Sequence, residues 1–275
     1  MPRALTAVAV FGAGALSFAF LLLPIVALFT HQSVGELVRQ LSNPVVTDAL
    51  VVSARTSVVA QAAILLLGTP TAYLIARSRF PGRAFVITLV ELPLVLPPAV
   101  AGVGLLVAFG RIGLLGGTFD ALGVDVAFNQ AAVVLAVAFV ASPLYMRQAI
   151  ASFEAVDDNL VAASRTLGAG PGRTFFRVVL PLARSGLAAG AALSLARGLG
   201  EFGATIMFAG SFQGVTQTLP LAIYAEFDRD FDVAVTISAL LVVITAAILL
   251  SLKVTALWPS SRRSSASLSA ASSSS

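Results

Sequence analysis

The sequence predicts an all-α, polytopic membrane protein with about six transmembrane helices. Of the 275 residues, 58% are hydrophobic and only 11% are charged, whereas a soluble domain averages about 25% charged residues. Six apolar segments also have the roughly 20 residues that a bilayer-spanning helix needs. The basic residues are unevenly divided between the segments that connect these spans. We therefore expect most of the protein surface to face membrane lipid.

The predicted spans are separated by short polar connections, so the chain reads as one membrane domain over 1–258. The spans cover about 5–29, 50–76, 85–109, 130–150, 184–210 and 235–257. One connection, at about 151–183, is long enough to form a structure of its own outside the membrane. The Ser/Ala-rich tail, 259–275, is low-complexity and is expected to be disordered.

The first apolar segment begins directly after Met1-Pro2-Arg3 and is about 25 residues long. A cleavable signal peptide has an apolar region of only about 7–15 residues. We therefore expect an uncleaved first span. The alternative is a removed signal peptide, which would leave five spans and place the two termini on opposite sides.

The basic residues predict the orientation of the chain. If the N-terminus is cytoplasmic, 12 of the 17 basic residues lie in inner segments and three in outer segments, with Arg55 and Arg197 inside spans. This bias predicts a multi-pass protein of the cytoplasmic (inner) membrane with both termini in the cytoplasm. The pI of about 10.3 then reflects topology and anionic lipid headgroups, so no nucleic-acid partner is expected.

Composition also excludes several kinds of active site. The chain has no cysteine and one histidine, His31, which excludes thiolate chemistry and a histidine-rich metal centre. It has no G-x-x-x-x-G-K-[ST] motif, and its one lysine is Lys253. We expect no catalytic residue, no metal site and no cofactor in this chain. An intramembrane enzyme is a poor alternative, whereas a passive channel fits the composition better.

Prolines interrupt the third span. The stretch "ELPLVLPPAVAG" (91–102) places Pro93, Pro97 and Pro98 in one predicted helix. Each proline removes a backbone donor, and the freed carbonyls must find partners in protein or water. This favours a broken helix that lines a cavity. The alternative is that these are ordinary prolines of a membrane helix.

The fifth span carries a stripe of small residues and two charges. Small residues recur at four-residue spacing at Gly186, Gly190, Ser194 and Gly198. Such a stripe permits close helix packing, either within one subunit or between two copies. Arg197 and Glu201 share one face of the predicted helix. They form either a structural ion pair or part of a polar pathway.

The connection at 151–183 predicts a helix–turn–helix on the inner side. Asp157 or Asp158 is a suitable N-cap for a helix that starts near Asn159. An apolar stripe follows at Leu160, Ala163 and Leu167. In "GAGPG" (168–172), Gly168 suits a left-handed C-cap and Pro171 suits the start of a second helix. We expect Leu180-Pro181 to end that helix at the membrane. The product is either an interfacial helix on lipid or a docking surface for a soluble partner.

This connection resembles the cytoplasmic loop of bacterial ABC-importer permeases, whose pattern is E-A-A, three residues, G, nine residues, I-x-L-P. The matching residues are Ala162, Ala163, Gly168, Val178, Leu180 and Pro181. Four residues separate Ala163 from Gly168, where the pattern expects three or four, and nine residues separate Gly168 from Val178. One departure is Val161, which stands where the family has a glutamate associated with the ATPase contact. Docking is therefore expected to depend on shape, on Leu160 and Leu167, and on the basic residues.

Other stretches resemble the molybdate, tungstate and sulfate permeases. "GEFGATIMFAG" (200–210) and "TQTLPLAIY" (216–224) resemble the molybdate permeases, and 68–83 and 92–102 resemble the framework of the whole group. The resemblance implies a fold like that of type I ABC importer permeases and transport of molybdate or tungstate, with sulfate or thiosulfate as the alternative. It also implies a homodimer, two copies of a separate ATPase that uses ATP-Mg, and an extracytoplasmic oxyanion-binding protein.

The resemblance further implies alternating access driven by ATPase movement against the cytoplasmic loop. A transporter needs a weak site in its lumen, because a tight site would trap the ion. The absence of an obvious basic cage in the spans agrees with this. The residues expected near the pathway or gate are Pro97, Pro98, Glu201, Thr205 and Thr218.

Overall fold

The computed structural model describes residues 2–257, with side chains over 10–251, and this part of the chain is helical without a strand. The predicted tail at 259–275 lies outside the described residues. The first helices are α1 (Pro2–Thr30), α2 (Val34–Gln40), α3 (Pro44–Arg77), α4 (Arg83–Val95), α5 (Pro98–Phe109), α6 (Gly116–Ala121) and α7 (Gln130–Glu154). They are followed by α8 (Asp158–Thr166), α9 (Pro171–Thr174), a π-helical turn (Phe175–Val179), α10 (Leu180–Leu199), α11 (Gly203–Ala209), α12 (Leu219–Glu226) and α13 (Phe231–Leu257).

Five helical runs are long and apolar enough to cross a membrane, and a bent pair of helices makes a sixth. The five are α1, α3, α7, the run Pro171–Leu199 and α13, and the bent pair is α4 with α5. The predicted all-α membrane fold with about six spans is confirmed.

The third span is broken, at its prolines. The chain bends by 112° between helix α4 and helix α5. Leu96 and Pro97 between them are extended, with ψ of 133° and 132°. The ring of a proline disfavours the helical conformation of the residue before it. Pro97 has this effect on Leu96, and Pro98 has it on Pro97. Pro93 lies within α4, so the proline pair accounts for the break.

Helix α7 forms the centre of the molecule, because α3, α10 and α4 all pack against it. The small residues of α10 make this packing possible. A Cβ at Gly186 would lie 2.0 Å from Ser152 Oγ, and one at Gly198 would lie 2.8 Å from Val137 Cγ1. Side chains at these positions would collide with α7. The stripe therefore serves packing within one subunit, which decides between the two alternatives.

The fifth span ends earlier in the chain than the sequence predicts. The helix expected over 184–210 ends at Leu199, and α11 begins separately at Gly203. Gly198 and Gly200 weaken the helix at this point, since glycine costs about 1 kcal/mol relative to alanine in a helix interior. The Glu201 carboxylate also accepts the backbone N–H of Ala204, so a side chain takes the place of a helical carbonyl.

Candidate functional site

The 151–183 connection contains a helix–turn–helix whose two helices are α8 and α9. Asp157 caps α8, and its Oδ1 accepts the N–H of Asn159 at 2.8 Å. At the other end Gly168 has a φ of +81°. The N–H of Gly168 donates to Arg165 O and the N–H of Ala169 donates to Ser164 O, both at 3.0 Å. These two bonds are the Schellman pairing, which needs a left-handed residue, so the turn depends on Gly168.

Leu180-Pro181 does not end the second helix, contrary to the expectation from sequence. The helix passes through a π turn and continues as α10, giving one run over Pro171–Leu199. The N–H of Leu180 bonds to Phe175 O, five residues back. Proline in a regular helix would clash with the carbonyl four residues earlier, here that of Arg177. The wider π turn relieves this crowding. The helical run Pro171–Leu199, called the rod below, therefore continues from the turn into the membrane.

The motif residues divide between two faces. The outward residues include Leu160, 47% exposed, and Leu167, 87% exposed. Ala162, Ala163, Gly168 and Pro181 are also exposed. Apolar groups on this face have no cover among the described residues, which is typical of a surface that meets a partner.

The inward residues hold α8 and the rod to the membrane domain. Val161 and Leu180 pack on a buried cluster that includes Val156 and Val179, and Val178 is half-buried. Val161 stands where the resembled family has its glutamate, and its half-buried side chain faces the protein's own core. Valine suits that position because a buried glutamate would need a partner for its charge.

Glu201 is the most buried acidic residue of the part of the chain that the structure describes, with its side chain 1% exposed. Its Oε2 lies 2.8 Å from Arg197 Nη1, and its Oε1 accepts the Ala204 N–H at 2.8 Å. Both carboxylate oxygens are therefore occupied. The predicted ion pair forms, but across the break between α10 and α11 instead of along one helix face.

Thr205 and Thr218 are buried, and their hydroxyl oxygens have no hydrogen-bond partner within the described part of the chain. The same holds for Gln61 Nε2 and Gln217 Oε1. Buried polar groups almost always have a partner, either in protein or in water. Within the described residues, these four atoms are therefore free to form hydrogen bonds with water or with a polar solute.

Hydrogen bonds connect this polar region from helix to helix. Ser194 on α10 donates to Gln61 on α3 at 3.0 Å, and the Leu219 N–H donates to Ser53 Oγ on α3 at 2.8 Å. Ser53 and Gln61 lie on α3 eight residues apart, with Ser57 midway. One side of α3 therefore carries a row of polar groups. The row begins beside Thr218 at the start of α12 and ends beside α10. Sequence reasoning missed Gln61, although an amide in an apolar span is itself a signal.

The proline break lies next to α11. A Cβ at Gly203 would come within 2.7 Å of Pro98 Cβ, and a Cβ at Gly102 within 2.6 Å of Ala204 O. Helix α5 thus crosses α11 at backbone contact distance. This brings Pro98 close to the segment that carries Glu201 and Thr205, and both Pro97 and Pro98 are exposed at the bend. Thr218 belongs to a separate segment that contacts α3.

Comparison with known proteins identifies similar chains. Residues 64–263 match the family described as binding-protein-dependent transport system inner membrane component. The chain is 44% identical to the molybdenum transport system permease protein ModB of Mycobacterium tuberculosis, over 84% of this chain and 88% of that one. It is 35% identical to the probable transport system permease protein NifC of Clostridium pasteurianum, over 86% and 83% of the two chains.

Solved structures share the fold. A bacterial alginate ABC transporter in complex with its periplasmic protein matches with a TM-score of 0.66 at 14% identity, covering 91% of this chain and 94% of that one. The MetNI methionine ABC transporter matches with a TM-score of 0.57 at 21% identity, covering 74% and 91%.

Proposed function

Because the chain belongs to the family of binding-protein-dependent transport system inner membrane components, we propose that it is the membrane-spanning permease of an ATP-binding-cassette importer for molybdate. The observation that carries this proposal is the 44% identity to a molybdenum permease over 84% of the chain. Tungstate is a chemically equivalent tetrahedral dianion and belongs to the same proposal. The alternative substrates are sulfate and thiosulfate.

The outward face of α8 is the contact for the ATPase in this proposal. Leu160 and Leu167 supply uncovered apolar surface, and the nearby Arg165 and Arg173 are exposed cations. With no phosphate-binding loop in its sequence, the permease relies on ATP-Mg bound and hydrolysed in a separate subunit. Two copies of that ATPase serve a homodimer of this chain.

Helix α1 supports the homodimer, because it is the most isolated span of the structure. Over Val10–Thr30 none of its side chains is buried, and its packing within the chain is chiefly against α13. An apolar helix with so little cover must lie against lipid or a second copy.

Charges indicate which end is cytoplasmic. Arg77, Arg83 and Arg147 lie at the same end of the bundle as α8, where they contact Asp158, Glu154 and Glu91. A concentration of arginines is typical of the cytoplasmic side. With six crossings, both termini then lie in the cytoplasm, and the oxyanion-binding protein meets the opposite face.

The buried polar groups suit passage of a dianion. The Thr205 and Thr218 hydroxyls and the Gln61 amide can each donate one hydrogen bond to an oxyanion, whereas a cage of cations would hold the ion too tightly to release it. Movement of α8 reaches this region through the rod Pro171–Leu199, which ends beside Glu201. Alternating access then opens and closes the contact between the bend at Pro97-Pro98 and Gly203.

The test is uptake of labelled molybdate by proteoliposomes that contain this chain and its ATPase. ATP lies on the side of α8, and the molybdate-loaded binding protein lies on the other. We expect uptake with ATP, and none with ADP or with an ATPase variant that binds but does not hydrolyse ATP. Equal uptake in all three conditions would contradict the proposal and would indicate a passive anion channel.

A further inference from the structure

Arg77, the last residue of α3, holds the start of α8. Its side chain is only 18% exposed, which is unusual for an arginine and requires hydrogen-bonding partners. Nη1 contacts the Asp158 carboxylate, and Nη2 donates to the carbonyl of Val156 at 2.9 Å. Both acceptors lie at the entry to α8. One guanidinium therefore joins the inner end of α3 to the proposed ATPase-binding helix.

A second arginine extends this connection to α4. Arg83, the first residue of α4, pairs with Glu154 at the end of α7. Its Nε donates to the carbonyl of Ile75, in the last turn of α3, at 2.9 Å. The start of α4 is thus bonded to α3 and α7. Helix α4 leads to the bend at Pro97 and on to α5, which crosses α11.

Helix α8 has a separate connection to the rod. Ser164 on α8 and Thr174 on α9 lie 2.8 Å apart, hydroxyl to hydroxyl. Val161 packs on the core beside Val179. These contacts join α8 to the run Pro171–Leu199 and to an apolar cluster that also includes Ile75 of α3 and, at its edge, Val90 of α4. Only the Arg77 side chain connects α8 to those helices by ion pair or side-chain hydrogen bond within the described residues.

We propose that the Arg77–Asp158 pair transmits displacement of α8 to α3, and through Arg83 to the bent pair α4–α5. Arg77 is a positioning residue in this scheme, because it contacts neither ATP nor the oxyanion. The inference rests on the proposed function, in which α8 receives the movement of the ATPase. One connection joins α8 to α3 through Arg77, and the other joins α8 to the run Pro171–Leu199. With both intact, α10 and the bent pair α4–α5 move together, so Pro98 and Gly203 shift in one step.

The exposure of Asp158 makes this role testable. Its side chain is 82% exposed, and an exposed ion pair contributes little to folding. Asp157 supplies the N-cap of α8 through its own carboxylate. Replacing Asp158 therefore removes the ion pair with Arg77, while the hydrogen bond from Arg77 Nη2 to Val156 O and the Asp157 cap of α8 remain.

The experiment compares molybdate taken up per ATP hydrolysed in proteoliposomes made with wild type, Asp158→Ala, Asp158→Arg, and Asp158→Arg combined with Arg77→Asp. Since coupling energies between sites correspond to about 5- to 150-fold, we expect Asp158→Ala to lower this ratio at least about fivefold at an unchanged ATPase rate. Asp158→Arg lowers it further, and the exchanged pair restores it. The matched control is Arg79→Ala, which is expected to keep the wild-type ratio. Arg79 is an exposed arginine in the segment between α3 and α4, two residues after Arg77.

Several outcomes would overturn the inference. A wild-type ratio in Asp158→Ala would do so alone, as would an exchanged pair that fails to restore coupling. Loss of assembled complex on size exclusion in Asp158→Ala would assign the pair a structural role. Absence of ATP-driven uptake in the wild type would overturn the proposed function, and the inference with it.

Discussion

Replacing Glu201 with leucine is expected to remove most of the folded protein from the membrane fraction, because the change leaves Arg197 without its ion-pair partner. It also removes the acceptor of the Ala204 N–H. Breaking a fully buried ion pair from one side costs about 3–5 kcal/mol. Because the Arg197 side chain is 34% exposed, we expect a cost at the lower end of that range, which is still a large part of the 5–15 kcal/mol typical of a folded domain. Fluorescence size-exclusion chromatography of the solubilised protein measures the loss.

The matched variant replaces Arg197 and Glu201 together with leucine. Removal of both charges leaves no unpaired ion, so folding is expected to recover to near the wild-type yield. Molybdate uptake is not expected to recover, since the Glu201 segment carries the polar groups proposed to line the pathway. Recovery of uptake along with folding would show that the pair is structural and would contradict its place at the pathway.

Replacing Gly168 with valine is expected to uncouple transport from ATP hydrolysis. The φ of +81° at Gly168 is strained for a β-branched residue, at a cost of about 1–3 kcal/mol. The space around Gly168 is open, with no atom within 4 Å of an added Cβ. The cost therefore falls on the turn conformation alone. At about 2 kcal/mol, the population of the native turn falls about thirtyfold.

The matched control for this prediction is Gly170→Val. Gly170 is also exposed and also has nothing within 4 Å of an added Cβ, but its φ is −66°, which valine adopts without strain. We expect Gly170→Val to keep the wild-type ratio of molybdate imported to ATP hydrolysed, while Gly168→Val loses most of it. Equal ratios in the two variants would show that the left-handed turn is not needed for coupling.

The elements that follow from local sequence were the predictable ones. The Asp157 cap, the Gly168 turn and the break at Pro97-Pro98 each depend on a few neighbouring residues, so the amino-acid sequence alone is enough to predict them. The six apolar stretches are predictable for the same reason, since hydropathy over about 20 residues decides a membrane span.

The features that depend on tertiary contacts were not predictable in this way. Pro181 reads as a helix stop, but a π turn accommodates it. Val161 stands at the position of the family's glutamate, and only the tertiary structure shows that its side chain packs on the buried cluster beneath α8. The end of the fifth span depends on a carboxylate that caps the next helix. The Gln61 amide accepts from Ser194 through Oε1, whereas its Nε2 has no partner among the described residues, and both facts follow only from the placement of α3 beside α10.

The measurement that tests the central claim most directly is competition for labelled molybdate uptake in proteoliposomes with the ATPase and the binding protein. Unlabelled tungstate and unlabelled sulfate are added separately, each at tenfold excess. We expect tungstate to suppress uptake to about a tenth, because it shares the charge and the tetrahedral shape of molybdate and its size is close. We expect sulfate, which is smaller, to leave most of the uptake intact. Strong suppression by sulfate together with none by tungstate would contradict the account and would identify a sulfate permease.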